Sequence, residues 1–371
     1  MIRVAYILSG IHKALAFEWI AEKLDKEKFD LQFVLLNPAG SSLEHFLKQH
    51  RVPVARIAYR GKKDLPKAIF QIRRLLKKHK TQVVHCHMFD ANVAGLVAAR
   101  LAGVKKRIYT RHHATFHHEY FPRAVWYDRF VNAQATDIVA ISENVRQVLV
   151  EMEHVSPQKI TLVHHGFELK DFAHPSAESV ARLREKYPFA TQGPVVGNIS
   201  RYFELKGLQY VIPAFRKLLQ THPSAHLVLA NATGNYAAEV KKLLAELPAS
   251  SYTEIRFEED LFALYQLFDI FVHVPINPRI EAFGQTYIEA LAAGVPSVFT
   301  LSGIAVEFVA DGQNALVVPF QDSEAICAAM CKIVSDESLR NRLIANGRES
   351  IQTRFGLHQM IQKLEMLYLE P

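Results

Sequence analysis

Three features of this 371-residue sequence predict an α/β fold with two doubly wound parallel sheets, one after the other. Short apolar runs alternate with helix-length amphipathic segments from the first residues onward, the pattern of parallel strands covered by helices on both faces. The length exceeds what one core ordinarily fills, at roughly 150 residues per domain. The alternation then halts in a polar, proline-bearing stretch over residues 173–193 and restarts at Pro194, as it does between domains.

In the first half, residues 2–8, 31–36, 52–57 and 82–87 read as strands, with helices over 14–24, 42–49 and 64–79; 137–141 and 160–164 supply the last strands. Ligands of such sheets bind at the carboxyl ends of the strands. Ser9-Gly10 follows the first strand, and its single glycine serves either close backbone approach to a ligand or a plain strand-to-helix turn; the full dinucleotide fingerprint is missing. The helix over 64–79 sets Leu65, Ile69, Ile72 and Leu76 on one face and crowds lysines and arginines elsewhere. That pattern fits a sheet-covering helix first and an anionic membrane surface second. His85-Cys86-His87 ends one strand and Thr110-Arg111-His112-His113 another, with His117 and His118 beyond. Histidines at strand ends donate to an oxyanion, work as acid or base, ligate a metal, or sit hydrogen-bonded in the core. For a metal, Asp90 is the carboxylate close by in sequence, and no metal is expected.

In the second half, Pro194–Ile199 is a strand, and the loop Ser200–Gly207 presents Arg201 and Lys206 at its carboxyl edge. Two fixed cations there either stand solvated or neutralise a diphosphate without a metal ion. Strands over 226–230, 254–257, 269–273 and 296–300 follow, and an amphipathic helix over 357–369 ends the chain. Between two of these strands lies the stretch Val274–Gly294, a proline-bearing loop carrying Glu281 and a helix from about Gly284 carrying Glu289. The first amides of that helix are a seat for an anion such as a diphosphate. Ionised carboxylates on either side accept hydrogen bonds from sugar or ribose hydroxyls. Taken singly, each glutamate also reads as an ordinary solvated residue.

The net charge of +7 is unevenly spread: residues 1–125 hold 23 Lys and Arg against 9 Asp and Glu, the remainder 21 against 28. A basic first third favours an anionic partner, such as a membrane surface or a phosphorylated acceptor. Nucleic acid ranks last, because no zinc-finger spacing, RNA-binding aromatic signature or basic zipper accompanies the charge. The three cysteines make no disulfide framework, and Cys327 and Cys331, one helical turn apart, read as packed thiols. No apolar run approaches the roughly 20 residues that span a bilayer, so the expected location is cytoplasmic, with peripheral contact at the inner face of a membrane as an option.

Together these residues resemble the family-four retaining glycosyltransferases, whose B-type glycosyltransferase (GT-B) fold has two facing Rossmann-like domains with the donor cleft between them. Glu281-Ala282-Phe283-Gly284 and Ile288-Glu289 through Gly294-Val295-Pro296 are similar to the family's Glu-x7-Glu motif and its Gly-x-Pro continuation. Arg201 and Lys206-Gly207 look like its diphosphate-binding pair, and Ser302–Val309 like its post-motif segment. Departures are the lone Gly10, His165-Gly166-Phe167-Glu168 in place of Asn-Gly-x-Asp, and Asn231-Ala232-Thr233-Gly234 in place of a glycine-rich turn.

The resemblance implies residues 1–175 as an acceptor-side domain, 176–193 as a linker, 194–352 as a nucleotide-sugar domain and 353–371 as a helix returning to the first. It implies sugar transfer with retention from a nucleoside-diphosphate sugar, uridine being the first base, to a hydroxyl acceptor such as a lipid-linked glycan. Glu289 would take the ribose hydroxyls and Glu281 a hydroxyl of the transferred sugar. Arg201, Lys206 and the amides at Phe283, Gly284 and Gln285 would hold the diphosphate, His87 would face the donor sugar, and Gly10 would approach phosphate and acceptor. No cofactor is implied. Two other readings stay open: an epimerase or hydrolase of sugar nucleotides, and a catalytically silent nucleotide-sugar-binding partner.

Overall fold

The computed structural model describes residues 1–187 and 193–370 and divides into two compact units, residues 1–167 with the final helix Leu357–Leu369, and Glu168–Gly356. The first unit holds seven strands: β1 (Ile2–Ser9), β2 (Phe29–Asn37), β3 (Val54–Ala58), β4 (Val83–His87), β5 (Lys106–Arg111), β6 (Asp137–Ala140) and β7 (Ile160–Leu162). They form one parallel sheet in the order β3-β2-β1-β4-β5-β6-β7. In the second unit β8 (Val195–Ile199), β9 (His226–Ala230), β10 (Tyr252–Ile255), β11 (Ile270–His273), β12 (Ser297–Phe299) and β13 (Leu316–Val317) form a parallel sheet ordered β10-β9-β8-β11-β12-β13.

The central strands of both sheets are buried on their two faces, which is why β8, β11 and most of β1 are largely apolar. Val4 through Leu8 of β1 are fully enclosed. Each sheet also reverses its strand order once, between β1 and β4 and between β8 and β11. A crevice opens beyond the carboxyl ends at such a reversal. The expected site residues lie at these two edges: Gly10 after β1 and His87 at the end of β4, then Arg201 and Lys206 after β8 and Glu281 after β11.

The basic helix Leu65–Lys78 buries Ala68, Ile72 and Leu76 and packs on the helix Phe89–Ala102, leaving most of its cations in solvent. The stretch expected to be a linker differs. Ser176 caps a helix over Ala177–Lys186 that packs on the short helix Leu261–Tyr265 inside the second unit. Only Leu183 of that helix is buried, so an apolar period too weak to read makes the segment look like a polar connector. Residues 188–192 and Pro371 lie outside the described residues.

The final helix packs Leu357, Met360, Ile361, Leu364, Leu367 and Tyr368 into the core of the first unit, among Tyr6, Phe29 and Val139. The Tyr368 hydroxyl meets that of Tyr6 and lies 2.7 Å from His85 Nδ1, while His85 Nε2 lies 2.8 Å from Thr110 Oγ1. Burial holds His85 neutral, its pKa pushed down to about 3. This chain of bonds joins β1, β4, β5 and the last helix, and one hydroxyl serves both Tyr6 and His85. Tyr368→Phe leaves both without that partner; a loss of about 1–3 kcal/mol is expected, read as a lowered thermal melting temperature.

Candidate functional site

In the second unit the loop after β11 and the loop after β8 are held together by backbone. Ile276 N donates to Leu205 O at 3.1 Å, and Gly207, at φ +76°, lies so close that an added Cβ would stand 2.0 Å from Val274 O. Only glycine fits there. The contact brings Lys206 to Glu281: Nζ donates to Oε2 at 2.5 Å. His273, the last residue of β11, places Nε2 3.5 Å from the same oxygen, and Ser302 Oγ accepts from Glu281 N at 3.3 Å. Burial alone would raise the Glu281 carboxyl, yet Lys206 and His273 hold it well below the usual carboxylate range. It is therefore a fixed anion, able only to accept hydrogen bonds. His273 is itself kept from protonating by burial, against the pull of Glu281.

The helix that follows runs Gln285–Ala293 and begins at Gly284, whose φ of +83° turns the chain from loop into helix. A Cβ there would strike the Tyr287 ring at 2.5 Å. Phe283 is buried, its carbonyl accepting from Ile304 N at 2.9 Å, whereas Gln285 is exposed at the first helical position. Free first-turn amides and the positive end of the helix dipole favour an anion here. The Thr286 hydroxyl, also in this turn, is buried without a hydrogen-bond partner among the described residues.

Glu289 is no solvated helix residue: it is 7% exposed, and the Tyr265 hydroxyl donates to its Oε2 at 2.8 Å. Burial raises its pKa to about 7, the Tyr265 bond opposing. Arg201 is exposed, its guanidinium 4.7 Å from the centroid of the Phe203 ring. The structure thus brings Lys206 and Glu281 into contact, sets Glu289 in a separate buried pocket with Tyr265, and leaves the Arg201 side chain on the surface.

In the first unit Gly10 adopts φ +66° with open space around it. His87 is 5% exposed, its ring stacked on Tyr6, with Nδ1 3.1 Å from His112 Nε2 and Nε2 unpartnered among the described residues. Burial, reinforced by neighbouring histidines, keeps it neutral. Met88, next in the chain, takes φ +72°, an uncommon backbone for a residue with a side chain and one that clusters at functional edges. His273, Tyr265 and Thr286 escape the sequence reading, and Ser302 enters it only as the start of the post-motif segment; His273 carries a signal, as a histidine ending a strand beside the expected site.

The model of "Glycosyl transferases group 1" matches residues 179–350, and that of "Glycosyltransferase Family 4" matches residues 19–171. The chain is 26% identical over 362 residues to the capsular polysaccharide biosynthesis glycosyltransferase CapM of Staphylococcus aureus, covering 94% of this chain and 91% of that one. It is 23% identical over 390 residues to the UDP-Gal:alpha-D-GlcNAc-diphosphoundecaprenol alpha-1,3-galactosyltransferase of Escherichia coli, covering 98% and 94%. Among solved structures, HepE of Anabaena in complex with UDP and glucose superposes with a TM-score of 0.85 at 18% identity, covering the whole of both chains.

Proposed function

We infer, from the premise that the chain belongs to the family-4 glycosyltransferases of the GT-B fold, that it moves a sugar from a nucleoside-diphosphate sugar to a hydroxyl acceptor with retention. The observation that carries this reading is the Lys206–Glu281 pair beside the Gln285–Ala293 helix start, with Glu289 one and a half turns along. The helix amides, Lys206 and Arg201 receive the diphosphate, whose charge grows as the bond to the sugar breaks, and donors aimed at developing charge lower that barrier. Glu281 accepts from a hydroxyl of the transferred sugar. Glu289, ionised, accepts from the two ribose hydroxyls. Retention is supported by the family; because Glu281 is tied to Lys206 and so is not a free nucleophile for a double displacement, the route we propose to it is attack on the face the diphosphate leaves. The departing phosphate oxygen then takes the acceptor proton on the face it leaves. Uridine is the base we propose, since HepE was solved with UDP and the Escherichia coli relative is named for UDP-Gal.

A lipid-linked acceptor is favoured by one surface of the first unit. Phe121, Trp126, Tyr127 and Phe130 are all exposed, Trp126 at 73%, and Lys62 and Arg129 lie over the Tyr127 and Trp126 rings. Amphipathic aromatics among cations suit the headgroup level of an anionic membrane. No helix among the described residues is long and apolar enough to cross one.

The test supplies labelled UDP-sugars together with anionic vesicles carrying lipid-linked glycans. Label is expected in the lipid phase, in an α-linkage from an α-configured donor, with Trp126→Ser/Phe130→Ser lowering vesicle flotation and transfer together. Free sugar regardless of acceptor would indicate a hydrolase; unconsumed donor with nucleotide bound would indicate a silent partner.

A further inference from the structure

The histidines after β5 gather around a carboxylate from the next long helix. His113 Nε2 lies 3.2 Å from Asp128 Oδ1, and His117 Nδ1 lies 2.7 Å from Asp128 Oδ2. The two rings stand 4.0 Å apart between centroids, and the three ligand atoms all lie within 4.8 Å of one another. We propose that His113, His117 and Asp128 form a binding site for a divalent transition-metal ion of the zinc class, separate from the sugar-transfer residues.

Three physical points carry this. The first is shape. Ligands about 2.0–2.2 Å from a tetrahedral zinc ion stand roughly 3.3–3.5 Å from one another, and a single oxygen of Asp128, Oδ2, already stands 2.7 Å from His117 Nδ1 and 3.3 Å from His113 Nε2. The second is donor chemistry: two imidazoles and one carboxylate select zinc, cobalt or nickel over magnesium or calcium, which prefer all-oxygen sites.

The third is charge. Asp128 and Glu153 are both almost wholly enclosed and share one cation, Arg111, whose guanidinium contacts each. The two carboxylates outnumber the one guanidinium they share, and an added cation offsets the excess. Arg111, itself bound to Glu153, then serves as the outer partner that orients Asp128. His113 and His117 are 23% and 14% exposed, which leaves a path for an ion and room for a fourth ligand from solvent.

Such an ion would tie the short helix Phe116–Tyr120 to the helix Val125–Gln134. It would also fix the turn that begins at His112, whose ring meets His87. Its role is one of positioning at the acceptor-side edge of the first sheet.

The experiment uses the full chain stripped with chelator. Zinc titration by calorimetry is expected to show one equivalent bound, and cobalt to give the visible absorption of a four-coordinate N/O site. Zinc should raise the melting temperature. His117→Gln is expected to weaken zinc at least tenfold and abolish the cobalt bands, while His79→Gln, on an exposed histidine, changes neither. His113→Gln serves as a second arm should His117→Gln fail to fold, as judged by circular dichroism. Zinc bound equally by wild type and both folded variants, or by none of them, would overturn the proposal. The outcome is independent of whether the chain transfers sugar.

Discussion

Arg201→Ala is expected to lower turnover at saturating donor by about 100- to 1,000-fold, the scale for removing one group aimed at developing charge, while leaving the melting temperature unchanged. The two halves of that expectation come from the same geometry. The Arg201 guanidinium is exposed and lies over the Phe203 ring, so its removal leaves no buried charge behind. Lys206 offers no such separation: without it the enclosed Glu281 carboxylate loses its ion pair at 2.5 Å, and a damaged fold would accompany the lost catalysis. Arg201→Lys should recover part of the rate, since it restores the charge but not the planar two-pronged donor. Near-wild-type turnover in Arg201→Ala would remove Arg201 from the diphosphate site.

Glu289→Gln is expected to weaken the preferred nucleotide by about 10- to 150-fold, corresponding to roughly 1.5–3 kcal/mol for a charge-assisted hydrogen bond. Glutamine keeps an oxygen for the Tyr265 hydroxyl, so the pocket stays intact. A pH dependence goes with it. Burial raises the Glu289 carboxyl to about 7 in the free protein, and only the ionised form accepts from both ribose hydroxyls. Below that value a proton must leave before the nucleotide binds, so affinity falls as pH drops. Between pH 8 and pH 6 the decrease assigned to this group is about tenfold. Calorimetry across that range checks it against Glu289→Gln, in which this component of the slope disappears and the titration of the nucleotide's own phosphate remains.

The parallel sheets, the two-unit division and the loop-to-helix turn between Glu281 and Glu289 were legible because each is written locally: apolar runs of strand length, helical periodicity, and a glycine at the turn. Contacts between distant segments were not. Nothing in the sequence pairs Lys206 with Glu281, since that meeting depends on β8 and β11 being neighbours and on Gly207 admitting the Val274 carbonyl. Tyr265 is likewise invisible as the partner of Glu289 until the short helix Leu261–Tyr265 folds against it. The linker was misread because the helix Ala177–Lys186 buries a single leucine. Among the histidines the sequence pointed to Asp90 as the carboxylate at hand, whereas the fold delivers Asp128 from the next helix. His87 was expected to face a donor sugar; its ring is packed on Tyr6 and bonded to His112.

We propose that the Lys206–Glu281 loop and the helix carrying Glu289 form a nucleoside-diphosphate site. Calorimetric titration of UDP, GDP and ADP into the wild-type chain tests it most directly. One of the three, UDP on the present reading, should bind with a stoichiometry of one and compete with its sugar conjugate. Failure of all three to bind, with magnesium present as well as absent, would contradict the claim.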